Sequence, residues 1–138
     1  MTSNAPPVRL PDSEKITINL GYVDLGQIDL LVAESFYANR TDFIRTAIRN
    51  QLALQADALK QVTARRMLVI GLQHFGTAEL EAVRAAHEKL QIRVLGLASI
   101  AHDVTPELAL ATIDSIAVLG ALHASPAVKA ALAGRIVR

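Results

Sequence analysis

The sequence predicts an α+β chain in two parts: a strand and two helices in the N-terminal third, then a small α/β domain of three strand–helix repeats, packed as a solenoid or a compact parallel sheet. Three observations predict it. Lys15-Ile16-Thr17-Ile18-Asn19-Leu20 alternates polar and apolar residues, the period of a strand with one buried face. Apolar residues then recur at helical spacing as far as Leu52. Finally, Val69-Ile70-Gly71-Leu72, Val94-Leu95-Gly96-Leu97 and Val118-Leu119-Gly120-Ala121 repeat at intervals of 25 and 24 residues.

In chain order, residues 1–13, with Ala5-Pro6-Pro7 and Pro11-Asp12-Ser13, read as a flexible arm. The strand buries Ile16, Ile18 and Leu20, and its alternation sends Lys15, Thr17 and Asn19 to the opposite, exposed face. Gly21 ends it. Asp24 reads as a helix N-cap, with Gln27 completing a capping box and Val23 and Ile28 placed for a hydrophobic staple. The helix buries Ile28, Leu31, Val32 and Phe36 and stops near Asn39, a turn residue. Thr41 is the expected cap of a second helix that buries Ile44, Ala47, Ile48 and Leu52 and continues weakly toward Arg65-Arg66. Phe36, Tyr37 and Phe43 read as packing residues. A lone strand has no partner for its backbone groups, and about fifty residues with one strand make no stable core. The cheapest second strand is another copy, so the sequence predicts a homodimer.

Each glycine-centred repeat is followed by a hydroxyl residue at a helix start: Thr77, Thr105 before Pro106, and Ser125 before Pro126. A hydroxyl cap followed by proline is first-turn chemistry. The glycines are expected in register, where backbones approach closely. The competing arrangement is a ferredoxin-like βαββαβ sandwich, with Leu97–Ala101 lending part of an extra strand. The expected domains are 14–52, a helical linker over 53–66, and the repeats over 67–138.

Composition narrows the function classes. The 138 residues include 14 basic and 13 acidic side chains, for a net charge of +1, with 51% apolar residues and no cysteine or tryptophan. Zero cysteine excludes a disulfide scaffold, thiolate metal sites and thiol catalysis. Near-neutral charge argues against a polycation that coats nucleic acid, though not against a small basic patch. Arg93, His102, Asp103, Glu107 and Asp114 interrupt the apolar C-terminal half, so no membrane span is expected. The proline-bearing N-terminus does not read as a signal peptide, and a soluble, cytoplasmic protein is expected. There is no nucleophile elbow, phosphate loop or zinc-protease helix. The repeat glycines form no G-x-G-x-x-G, and His102-Asp103 reads as loop punctuation. No catalytic residue is assigned, no cofactor is expected, and the chain is not expected to be an enzyme.

Residues 15–52 resemble ribbon-helix-helix transcriptional regulators of the Arc/MetJ/CopG type. The likeness rests on the strand Lys-Ile-Thr-Ile-Asn-Leu, the helix after it, and the run Arg40-Thr41-Asp42-Phe43-Ile44-Arg45-Thr46-Ala47-Ile48-Arg49, which is similar to the family's second-helix signature. The resemblance implies a two-stranded ribbon, one strand from each copy, lying in a DNA major groove. It implies Lys15, Thr17 and Asn19 as base readers, able to donate to guanine, meet a thymine methyl and pair with adenine. It implies that the start of the second helix docks on phosphate, through the backbone at Thr41 and Asp42 and the Thr41 hydroxyl, with Arg40, Arg45 and Arg49 as further contacts. Ile16, Ile18, Leu20, Ile28, Leu31, Val32, Phe36, Ile44 and Ile48 become the dimer core.

Some regulators of this type sense nickel through histidines and a cysteine in a C-terminal domain. Here there is no cysteine, and His74, His87, His102 and His123 show no close paired spacing. His74 and His123 occupy equivalent repeat positions with Ser99 between them, roughly 10 Å apart across two strand spacings, too far to share one ion. His87, among Leu80, Val83 and Leu90, reads as a packed histidine. No metal site is assigned. The expected function is therefore a dimeric, sequence-specific DNA-binding repressor whose repeats, 67–138, associate with themselves or with a protein partner. The alternatives are an antitoxin or a plasmid partition or conjugation accessory protein, a ligand- or metal-responsive regulator, and a DNA-organising structural protein.

Overall fold

Three apolar strand segments separated by short helices can be covered economically by one stacked layer of helices, and the computed structural model, which describes residues 13–137, has this arrangement. The chain divides into two compact units, residues 1–54 and 55–138. In the second unit β1 (Val69–Phe75), β2 (Leu90–Ile100) and β3 (Ile113–His123) form a parallel sheet in sequential order. They are followed in turn by α4 (Thr77–Ala85), α5 (Pro106–Thr112) and α6 (Pro126–Leu132), where α5 packs against both other helices. The core lies between the layers: Leu80, Leu108, Val128 and Leu132 from the helices meet Ile92, Val94, Ala98, Ile113 and Ile116 from the strands. The sheet is parallel throughout and Leu97–Ile100 simply extends β2, so the ferredoxin-like alternative is set aside.

The glycine register is as expected. Gly71, Gly96 and Gly120 are mutual ladder partners, with φ of +131°, +142° and +117°. A Cβ on Gly96 would lie 2.2 Å from the Gly71 carbonyl oxygen, and one on Gly120 would lie 2.0 Å from that of Gly96. Only glycine allows both the backbone angle and this approach. The caps of α5 and α6 also follow the sequence: the Thr105 hydroxyl accepts from Leu108 N–H at 3.1 Å and the Ser125 hydroxyl from Val128 N–H at 3.2 Å, each with proline in the first turn. Beyond α6 a short 3-10 turn (Ala133–Arg135) leads a tail back onto β3, where Ile136 pairs with Ile116 and Val137 N–H donates to the Ile116 carbonyl at 2.7 Å. Arg135 donates to the carbonyls of Leu110 and Ile113, where α5 runs into β3.

Thr77 stands at a helix start as expected, as the first residue of α4; Gly76 precedes it in extended conformation, and Thr77 Oγ1 is buried without a partner. One expectation fails in this unit. His87 is exposed rather than packed, because α4 ends at Ala85 and the chain turns away. His87 sits at φ +55°, its N–H donating to Arg84 O while Glu88 N–H donates to Val83 O. This is a Schellman ending. The same pair of bonds closes α1 (Tyr22–Ala33) at Ser35 and α3 (Ala56–Arg65) at Met67. A non-glycine residue in that left-handed position hides the stop signal that sequence reading relies on.

The first unit contains α1 and α2 (Arg40–Leu54). Residues 15–20 form no strand with any described residue and are exposed; a strand exists by pairing, and the described chain offers this segment no partner. The cap of α1 is Gly21, with no side-chain hydrogen bond, and Val23 is exposed, so the box at Asp24 and Gln27 and its staple do not form. Asp24 instead sits in the first turn, where a carboxylate favours the helix dipole. Helix α2 does not run unbroken to Arg65: Gln55 interrupts it before α3. The expected N-terminal arm lies, apart from Ser13, outside the described residues.

The glycine ladder gives a graded test. Gly96→Ala combines left-handed strain with a backbone collision and is expected to cost about 2–5 kcal/mol. Gly71→Ala, whose Cβ meets nothing within 4 Å, carries only the strain, about 1–3 kcal/mol. Urea unfolding of both variants measures the difference.

Candidate nucleic-acid interface

Residues 13–21 present a row of polar side chains, Lys15, Thr17 and Asn19, and a row of apolar ones, Ile16, Ile18 and Leu20, all exposed. Ile16 is 75% and Ile18 60% accessible. Among the described residues of this unit only Ile28 is buried, at 7%. Leu31, Val32 and Ile44 are half-buried, whereas Phe36 and Ile48 are exposed. Tyr37 and Phe43 meet edge-on, with ring centroids 5.0 Å apart. Burial on this scale does not offset the conformational entropy of ordering the unit. Its apolar side chains have the pattern of a core and lack the second half of one.

The start of α2 is built by a reciprocal cap. Asn39 Oδ1 accepts from Asp42 N–H at 2.8 Å, while Asp42 Oδ2 accepts from Ala38 N–H at 3.0 Å. The cap is therefore Asn39 rather than Thr41. The spacing was visible in the sequence, since an Asn followed three residues later by an acid is capping-box geometry. One consequence touches the expected phosphate site: the Asp42 amide is already engaged, and its carboxylate faces the helix start. The amides of Arg40 and Thr41 precede the first intrahelical bond, Phe43 N–H to Asn39 O, so the helix supplies them no acceptor. With the exposed Thr41 side chain they make a compact donor set.

Arg40 has a second role that sequence spacing did not signal. Its Nε donates to Asp29 Oδ1 at 2.7 Å and one terminal nitrogen to Oδ2 at 2.8 Å, a two-pronged pair that ties α2 to α1. The hydrogen bond from Arg40, aided by its charge, holds the Asp29 carboxyl below its ordinary range and raises Arg40 above its own. Arg45 and Arg49 lie exposed on α2 and belong to no ion pair among the described residues.

The other expected groups lie in the second unit. His74, Ser99 and His123 are ladder partners across the three strands, and His74 Nδ1 lies 2.6 Å from Ser99 Oγ. His123 Nδ1 is buried with no partner. Among the described residues no group of three or more His, Cys, Asp or Glu could hold a metal ion, and no helix is long and apolar enough to cross a membrane.

The Asp29–Arg40 pair carries a pH signature. Because the native carboxyl titrates below its unfolded value, the clamp contributes fully above about pH 4, the unfolded value. The contribution is lost as pH falls through the depressed native value. Thermal unfolding from pH 7 to pH 2 is expected to show a shallower acid loss for Asp29→Asn than for the parent.

A sequence model of the ribbon-helix-helix transcriptional regulator family matches residues 11–129, a span that takes in the helices of the first unit and the whole sheet of the second. No curated protein and no solved structure matches the chain.

Proposed function

Because the chain belongs to the ribbon-helix-helix transcriptional regulator family, we infer that it acts as a homodimer that binds operator DNA sequence-specifically and represses transcription. The observation that carries this reading is the exposed alternating segment at 15–20, joined to a unit with a single buried side chain among its described residues. Two copies of the segment, paired antiparallel, satisfy each other's backbone groups and bury Ile16, Ile18 and Leu20 against Ile28, Leu31, Val32, Phe36, Ile44 and Ile48 of both chains.

The alternation then presents Lys15, Thr17 and Asn19 from both strands on the outer face. A two-stranded ribbon fits the major groove, where base edges carry a distinguishing pattern of donors and acceptors. The start of α2 docks on the phosphate backbone through the Arg40 and Thr41 amides and the Thr41 hydroxyl, and helix polarity favours the anion. Asp42 serves the site by capping α2, and Arg40 by fixing α2 against α1, while Arg45 and Arg49 supply charge to neighbouring phosphates. Two-fold symmetry calls for paired half-sites, and occupancy of such a site excludes polymerase. The DNA-binding domain is residues 14–52; 53–66 is a helical linker and 67–138 the association domain. A cytoplasmic location follows from the DNA target.

Selection of bound sequences from random duplex DNA tests this reading, which expects a short palindromic or repeated motif. Thr17→Ala or Asn19→Ala is expected to cost about 1–3 kcal/mol of binding per lost base contact and to relax specificity there, with unchanged circular dichroism. Ile18→Asn is expected to dissociate the dimer in sedimentation. A dimeric Ile18→Asn together with unaltered binding by Asn19→Ala would overturn the assigned register.

A further inference from the structure

Parallel sheets are ordinarily covered on both faces, yet here the helices occupy one. Val94, Ala98, Val118 and Leu122 belong to the helix-side core, so strand alternation sends their neighbours to the opposite face. Ladder register assembles those neighbours into two apolar rows, Ile70–Leu95–Leu119 and Leu72–Leu97–Ala121. Ile70 is 72% and Leu72 75% accessible. Arg93, next to Ala117 in the ladder, bounds the rows at one end, and the row His74–Ser99–His123 bounds them at the other.

We propose that this bare face is a contact between two copies of the chain, packed sheet to sheet with their strands antiparallel. The inference rests on the homodimer reading above. Its first support is the polarity of the two ends. Arg93 makes only long hydrogen bonds, 3.4 Å to the Arg66 carbonyl and 3.4 Å to Gln91 Oε1, and joins no ion pair among the described residues. At the far end stands the polar row of His74, Ser99 and His123, in which His74 is exposed. Arg93 stands three residues before Gly96 and Ser99 three residues after it. A two-fold axis running across the strands at the glycine row therefore sets Arg93 of each copy opposite the partner's histidine–serine row. Guanidinium donors held only by long bonds there face a polar row whose His74 is exposed, rather than a second guanidinium. The other face-to-face two-fold, parallel to the strands, would stack Arg93 on its own copy and is disfavoured.

The second support is size. Three strands about 4.8 Å apart, paired over seven residues of about 3.3 Å each, give a footprint of roughly 14 Å by 23 Å, near 330 Å². This is under half of the roughly 800 Å² per partner in a typical stable interface. An unlinked protein would bind such a face weakly. A second copy already held by the N-terminal ribbon arrives at an effective concentration in the millimolar range, where a small apolar contact closes.

The chain has no cysteine, which makes the test direct. The antiparallel arrangement lays β1 over its own copy, so full-length Leu72→Cys treated with a bis-maleimide spanning about 10 Å, the sheet-to-sheet distance, is expected to yield mostly cross-linked dimer. Glu79→Cys, exposed on α4, serves as control and is expected to yield at least tenfold less. Adding Arg93→Gln to Leu72→Cys is expected to lower the yield at least threefold. If the chain sediments as a dimer while Leu72→Cys links no better than Glu79→Cys, the sheet contact is overturned and the ribbon dimer stands. Sedimentation as a monomer overturns both.

Discussion

Backbone N–H and C=O groups need partners, and residues 15–20 find none within the described chain. The rest of the first unit depends on that constraint. Its helices are well formed, with a reciprocal cap at Asn39 and Asp42 and a two-pronged clamp between Asp29 and Arg40, but these are polar devices at the surface. They fix the angle between α1 and α2 and contribute little apolar burial. The unit is thus pre-shaped at its helical corner and unfinished along its apolar side, as a half-site of a two-fold assembly would be.

The second unit solves the same problem internally. Each rung of the sheet pairs with the next, the helices share one core with the strands, and the tail at Ile136 bridges to Ile116 of β3. The glycine row lets the strand backbones approach at positive φ without a collision. What the unit leaves open is one face, which is apolar in its middle rows and polar at its ends. The family match spans both units, so it takes in the sheet as well as α1 and α2.

Much of this was legible in the sequence where the signal was a period. The glycine register, the parallel repeats and the Thr105-Pro106 and Ser125-Pro126 helix starts were read directly, because spacing repeated three times fixes register. The misplaced features were local ones with competing signals. Asp24 and Thr41 both look like caps, yet Gly21 and Asn39 do the work, since several polar residues cluster at each helix start and only packing decides among them. The end of α4 escaped because His87 stands where glycine would announce it. The pairing of Asp29 with Arg40 spans eleven residues and two helices, a tertiary event with no mark in periodicity. For the candidate interface, alternation separates Ile16, Ile18 and Leu20 from Lys15, Thr17 and Asn19, but all six are exposed in the single chain, so burial does not tell the two faces apart.

The sequential strand order also bears on how the second unit reaches its native state. Each strand docks on one only about 25 residues away, so every loop closed is short and the mean contact separation is low for a parallel sheet. Such topologies collapse quickly and can begin at any rung. The repeat region can therefore acquire its structure by itself, without any encounter that needs a second polypeptide.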